Sequence, residues 1–149
     1  MIPLSTIVEG KILREKNKIT SCICDKLMAV NWEIVDELMA LDEDDPTHSF
    51  TRQIFEDYFV QMEERLPELA KLAQARAFDE VGKVGHSLKG SSAAVGALGV
   101  SEICEKICAK VKEWEKTRQE PQPYLLRRIS ELKSLYPTVK KQLLSKISA

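Results

Sequence analysis

Few residues in this chain could hold it together other than by ordinary packing. Six glycines and six prolines in 149 residues are too few for a collagen-like or low-complexity chain. Four cysteines are present, but Cys22-Ile23-Cys24 and the pair Cys104 and Cys108 lack the usual C-x-x-C spacing of a structural zinc site. Charge of one sign is not in excess: 22 Lys and Arg oppose 23 Asp and Glu, a formal net charge of -1. That balance excludes general attraction to nucleic acid or to an anionic bilayer, so neither is an expected partner. No apolar run approaches the roughly 18 residues that span a membrane. Met1 to Lys11 has neither the basic start nor the apolar centre of a signal peptide. The expected compartment is therefore reducing and intracellular, the cytoplasm and also the nucleus, with the cysteines as free thiols.

Hydrophobic residues make up 44% of the chain and charged residues 30%, the balance of a globular domain. A chain of this length buries roughly 68 to 70% of its unfolded surface and needs no disulfide or metal to do so. Apolar residues recur at spacings of three and four, not two, which predicts an all-α fold. Asn31 is a candidate N-cap for a short helix carrying Ile34, Val35, Leu38 and Leu41, which ends in the acidic loop Asp42 to Pro46. A long helix starts at Thr47 or Ser49, with Ile54, Phe55, Tyr58, Phe59, Met62, Leu66 and Leu69 along one side. Pro67 either kinks it or opens a new turn. After a connection at Ala75 to Ala77, Asp79 is expected to cap a helix through Val81, Val84, Leu88, Val95 and Leu98 that stops at Gly99. Ser101 is expected to cap the next, with Ile103, Cys104, Ile107, Cys108, Val111 and Trp114 facing a core. Beyond the linker Glu120 to Pro123, Leu125, Leu126, Ile129, Leu132, Leu135, Val139, Leu143 and Ile147 mark a last helix, interrupted at Pro137. The sum is an antiparallel four-helix bundle over residues 31–149, preceded by a short helix, with an arm or extra helix over residues 1–30.

Five of the six glycines lie between Gly82 and Gly99. Each interior glycine costs a helix about 1 kcal/mol relative to alanine, so something there requires small residues. At about 100° per residue, Gly82, Gly90, Ala93 and Ala97 fall within about 40° of His86, and Lys89 within about 60°. Val84, Leu88 and Val95 fall on the opposite side. His86 thus stands on the outer face in a strip cleared of long side chains, where another macromolecule can approach its ring. An accessible neutral imidazole can attack phosphorus. Phosphoryl transfer then needs mainly positioning and charge neutralisation. Lys89 can supply the charge, Gly90 the clearance and Ser91 a hydrogen bond.

The string His86-Ser87-Leu88-Lys89-Gly90-Ser91-Ser92-Ala93-Ala94-Val95-Gly96 resembles the active-site signature of histidine-containing phosphotransfer (HPt) domains, H-x-L-K-G-S-[SA]-x-x-x-G. Its Ala93 to Gly96 continuation is most similar to the fungal osmosensing phosphorelay intermediates. Asn31-Trp32, the acidic loop followed by Phe50, and Cys104 to Ile107 extend the resemblance over residues 31–147. It implies a shuttle in which His86 takes a phosphoryl group from the aspartate of one receiver domain, that of a hybrid histidine kinase, and passes it to a response regulator. It also implies Mg²⁺ on the receivers and no nucleotide or cofactor on this chain, consistent with the absence of a P-loop or kinase signature. Leu88 is expected to pack inward. Fungal members present a glutamine towards the histidine from the preceding helix; Asp57 and Gln61 are the candidates here, and Gln61 is assigned the role. A monomer is expected.

Two other readings compete. A non-catalytic helical adaptor would leave His86 incidental, and a small metal-binding bundle would use His48 and the cysteines. His48 in its polar turn is more simply solvated, and Cys104 and Cys108 more simply buried. The short first helix is expected to pack across the middle of the long ones, with Trp32, Ile34 and Met39 rimming a docking patch around His86.

Overall fold

The computed structural model describes residues 29–148. The expected arm over residues 1–30 lies almost wholly outside them, as do Cys22 and Cys24. Among the described residues there are five helices and no strand: α1 (Trp32–Ala40), α2 (Ser49–Gln74), α3 (Phe78–Ala94), α4 (Leu98–Thr117) and α5 (Gln122–Ser148). Connections of three or four residues join α2 through α5, so consecutive helices must run antiparallel. They close into a ring, α2 on α3, α3 on α4, α4 on α5 and α5 on α2. No helix of the described residues is long and apolar enough to cross a membrane.

The core follows the heptad-like stripes. Phe55, Met62 and Leu69 of α2, Val81 and Leu88 of α3, Ile107 of α4, and Leu125, Leu132 and Leu143 of α5 are fully buried. A short buried polar contact joins α2 and α3: the Tyr58 hydroxyl and the Ser92 hydroxyl are 2.8 Å apart. Burial pushes the Tyr58 phenol above its ordinary value, with the Ser92 hydrogen bond acting the other way. Tyr136, which the leucine pattern of α5 hid, is also buried and donates to Glu63 Oε2 at 2.8 Å.

The expected start of α2 is correct at Ser49, but the acidic loop does more than end α1. His48 precedes the helix in the left-handed region at φ 51° and offers no side-chain cap. Asp45 accepts instead from the Ser49 amide at 3.1 Å and the Ser49 hydroxyl at 2.6 Å, and Asp42 accepts from the Thr51 amide at 3.1 Å. Two of the first free N–H groups of α2, those of Ser49 and Thr51, are thus satisfied by carboxylates, which also suit the positive end of its dipole. Hydrogen bonds from Ser49 and Thr47 hold the Asp45 carboxyl well below the usual carboxylate range. His48 Nδ1 lies 3.1 Å from Asp42 Oδ1, inside this cap.

Several expected boundaries move. Helix α3 begins at Phe78 with Ala77 at its N-cap, so Asp79 lies in the first turn and is not the cap. Its stop is not Gly99. Gly96, at φ +82°, makes the turn, and the Ala97 amide closes the helix end on Ser92 O at 2.8 Å. Gly99 therefore lies in the first turn of α4, which starts at Leu98 and not at Ser101. Here the glycine is chosen for tightness: a Cβ would stand 2.9 Å from Leu135 Cδ2 and 3.3 Å from Ala29 Cα. Pro137 does not interrupt α5, nor Pro67 α2. Both are exposed, so the carbonyls that lose an amide partner to them face water. Leu41 is not part of the α1 stripe; it caps the helix and is 71% exposed.

Helix α1 is capped by Asn31, whose side chain accepts from the Glu33 amide at 3.1 Å. It does not cross the middle of the bundle. The Asn31 amide donates to Gly96 O at 2.7 Å, Thr51 Oγ1 donates to Leu38 O at 3.2 Å, and Lys146 reaches Asp36 at 3.4 Å. These partners place α1 over the end of the bundle formed by the α3–α4 turn, the start of α2 and the end of α5. The opposite end is tied by Arg76, which pairs with Glu120 and donates to Gln122 Oε1 at 3.1 Å.

Two predictions follow from this packing. Gly96→Ala should destabilise the domain by roughly 1 to 3 kcal/mol, because it combines a left-handed φ with a Cβ 2.9 Å from Asn31 O. Gly90→Ala, whose Cβ would meet nothing within 4 Å, should stabilise it by about 0.5 to 1 kcal/mol. Urea titration of both variants checks the contrast. The second concerns acid. Because the Asp45 pKa is lower folded than unfolded, its contribution is present above the unfolded value of about 3.9 and fades as pH falls below it. Stability measured from pH 6 down to pH 2 should therefore fall less steeply in Asp45→Asn than in the wild type.

Candidate functional site

Helix α3 approaches α4 closely, with glycines at two of the points of contact. A Cβ on Gly82 would lie 3.0 Å from Val111 Cγ1, and one on Gly85 would lie 3.3 Å from Cys108 Sγ. This separates the small residues of α3 into two groups. Gly82, expected in the cleared strip around His86, lines the groove beside it while also packing half-buried against α4, whereas Ala97, also expected there, lies beyond the end of α3 and is fully buried. Gly90 and Ala93 are the exposed members of the strip.

His86 projects into solvent from the middle of α3. One turn further on, Gly90 leaves open space where any other residue would place a side chain. Lys89 is half-buried and directs its ammonium across the helix seam to Glu105 of α4, at 3.0 Å from Oε1. That hydrogen bond, reinforced by the charge of Glu105, holds the Lys89 pKa above its ordinary value. A groove along the seam of α3 and α4 is lined by Gly82, His86, Lys89, Glu105, Cys108 and Lys112 among others.

Gln61 of α2 reaches α3 beside the histidine, its Nε2 donating to Ser87 Oγ in a long contact of 3.4 Å. Asp57 is one turn back, exposed, and accepts from Gln53 at 2.9 Å. Of the two candidates, Gln61 is the one in contact with α3. Ser91 is half-buried and sits about 140° around the helix from His86. Leu88 packs fully inward.

Glu105 was not singled out from the sequence. Cys104 and Cys108 mark the buried stripe of α4, and Glu105 flanks it, but which neighbour it faces depends on how closely the glycines let α3 approach. The two cysteines are free. Burial, with Cys108 adding to it, pushes the Cys104 thiol up to about 12, and burial raises Cys108 too. No group of three or more His, Cys, Asp or Glu among the described residues is placed to hold a metal ion.

An antiparallel bundle that exposes one histidine next to a lysine and a bare glycine is the arrangement of a phosphotransfer domain. The sequence matches the Hpt domain family over residues 53–142, more than half of its length, and the chain belongs to that family. It is 35% identical over 78 residues to Multistep phosphorelay regulator 1 of Schizosaccharomyces pombe, a stretch covering 52% of this chain and 26% of that protein. The Phosphorelay intermediate protein YPD1 of Candida albicans is 33% identical over 78 residues, 52% of this chain and 41% of that protein. The protein of the same name from Saccharomyces cerevisiae is 30% identical over 79 residues, 52% and 46%. The chain thus matches less than half the length of each of these relatives. No solved structure is significantly similar to it.

The ion pair across the seam generates a direct test. Glu105→Ala should return the Lys89 ammonium towards the ordinary lysine value, which NMR titration of the lysine side-chain nitrogens reads. A Lys89 titration that does not move would show that the pair is not made in solution.

Proposed function

We propose that the chain is a phosphocarrier of a multistep His-Asp phosphorelay, alternating between free and phosphorylated His86. The observation that carries this reading is the exposed imidazole with open space over Gly90 and an ammonium three residues on. The names of the similar proteins, a phosphorelay regulator and two phosphorelay intermediates, support it.

In the forward step a ring nitrogen of His86 attacks the phosphorus of an aspartyl phosphate on a receiver domain. A P–N bond forms as the P–O bond to the carboxyl breaks, and the aspartate leaves as carboxylate. The reverse of this chemistry, on a second receiver, returns the imidazole and makes a new aspartyl phosphate. Lys89 neutralises the phosphoryl oxygens, Gly90 admits the donor's loops, and Gln61 holds the α2 side of the site, whereas Ser91, about 140° around α3 from His86, faces away from the phosphoryl group and takes no part. The partners are the receiver of a hybrid histidine kinase and those of response regulators. They bring the Mg²⁺, and the chain brings no cofactor of its own. It works as a monomer, in the cytoplasm and also in the nucleus. Docking is modest in area and transient, as a carrier with two partners requires.

Incubation of the purified protein with pre-phosphorylated receiver domains, followed by mass analysis and acid treatment, tests the reading. One acid-labile phosphoryl group on the wild type and none on His86→Gln is the expected result. A folded wild type that accepts nothing from several unrelated receivers would point instead to an adaptor with an incidental histidine.

A further inference from the structure

The cation expected to meet the phosphoryl group is already engaged. Lys89 Nζ lies 3.0 Å from Glu105 Oε1, and Glu105 stands on a different helix from the histidine, with its side chain 64% exposed. Both line the same groove as His86. Lys89 and His86 are separated by one helical turn, so the ammonium of a flexible four-carbon side chain can reach either anion, the Glu105 carboxylate or a phosphoryl group on His86. It cannot pair fully with both. In the free protein it is with Glu105.

We propose that Glu105 is a positioning residue that acts through Lys89, holding the ammonium when His86 is free and competing for it when His86 is phosphorylated. This deepens the phosphocarrier reading and rests on it. The consequence is thermodynamic. Phosphorylation must break the Lys89–Glu105 pair to gain the Lys89–phosphoryl pair, so the glutamate lowers the stability of phosphorylated His86 relative to an aspartyl phosphate on a receiver. A carrier benefits from this, because its phosphoryl group has to leave again. An exposed ion pair is a small increment, so the residue trims the equilibrium and does not decide it. Other charges face the same groove, with Lys112 on α4 and Lys83 on α3 beside Asp79 and Glu115, but none of these is paired with Lys89.

Wild type, Glu105→Gln, Lys89→Gln and the double variant are each brought to equilibrium with one receiver domain phosphorylated by acetyl phosphate and freed of the donor. The phosphoryl partition is read by intact mass, and a urea titration confirms that each variant is folded. Glu105→Gln should shift the partition towards phosphorylated His86 by about twofold to fivefold, the range of an exposed pair. The same change in the Lys89→Gln background should have no effect, because the lysine through which it acts is gone. An unchanged partition in Glu105→Gln overturns the proposal. So does an equal shift with and without Lys89, since the glutamate would then act by direct repulsion. A wild type that takes no phosphoryl group at all overturns the carrier reading itself, an outcome distinct from the other two.

Discussion

The seam between α3 and α4 is tight enough that a methyl group at either of two glycines would press on the neighbouring helix, and most of what is distinctive about the molecule depends on that. Gly82 meets Val111 and Gly85 meets Cys108 across it. Two ordinary helices pack with their axes 8 to 10 Å apart, the distance depending on the side chains between them, and glycines bring that distance down. Closeness has two effects here. It fixes α4 against the back of the helix that carries His86, and it lets Lys89 of one helix reach Glu105 of the other. A helix with three interior glycines forgoes a few kcal/mol of intrinsic propensity. Burial of Val81, Val84, Gly85 and Leu88 against the neighbouring helices offsets the loss.

The site is accordingly built from a rigid half and an open half. Facing α4, the glycines are filled by a neighbour. Facing solvent, Gly90 is filled by nothing. The same residue type serves opposite ends a few residues apart, and only the rotation of α3 tells them apart. Charge is arranged on the same plan: the seam carries a lysine and a glutamate already paired, while the imidazole stands outside that pair.

Much of this was legible in the sequence, for reasons that can be traced residue by residue. The stripes of α2, α4 and α5 follow the 3.6-residue period because their buried faces are aliphatic and aromatic, and Asn31 caps α1 because its side chain is of the type that does so. His86, Lys89 and Gly90 could be placed on one outer face by angle alone. The misplaced features share a cause. Two glycines in four residues, Gly96 and Gly99, offer two stops, and the choice between them depends on α1, whose Asn31 carbonyl occupies the space a side chain at Gly96 would need. Ala97 falls into the His86 strip by angle because an angular projection does not know where its own helix ends, and it likewise cannot show that Gly82, which does line the groove with His86, also presses on α4. Pro137 was read as a break because local rules cannot see that its orphaned carbonyl faces water. The capping by Asp42 and Asp45 joins residues up to nine apart across a loop, beyond any local signature.

The buried Tyr58–Ser92 hydrogen bond gives the bundle a property that its leucines cannot. Apolar stripes repeat every turn, so two helices held by them alone can slide by 5.4 Å and find nearly the same packing. A hydroxyl pair cannot slide, because each step away leaves two desolvated polar atoms without partners, at about 1 to 3 kcal/mol apiece. Tyr58 lies three residues from Gln61, and Ser92 lies five from Ser87. The pair therefore acts as an index pin, setting the one vertical alignment of α2 and α3 at which the glutamine meets Ser87, the neighbour of the histidine.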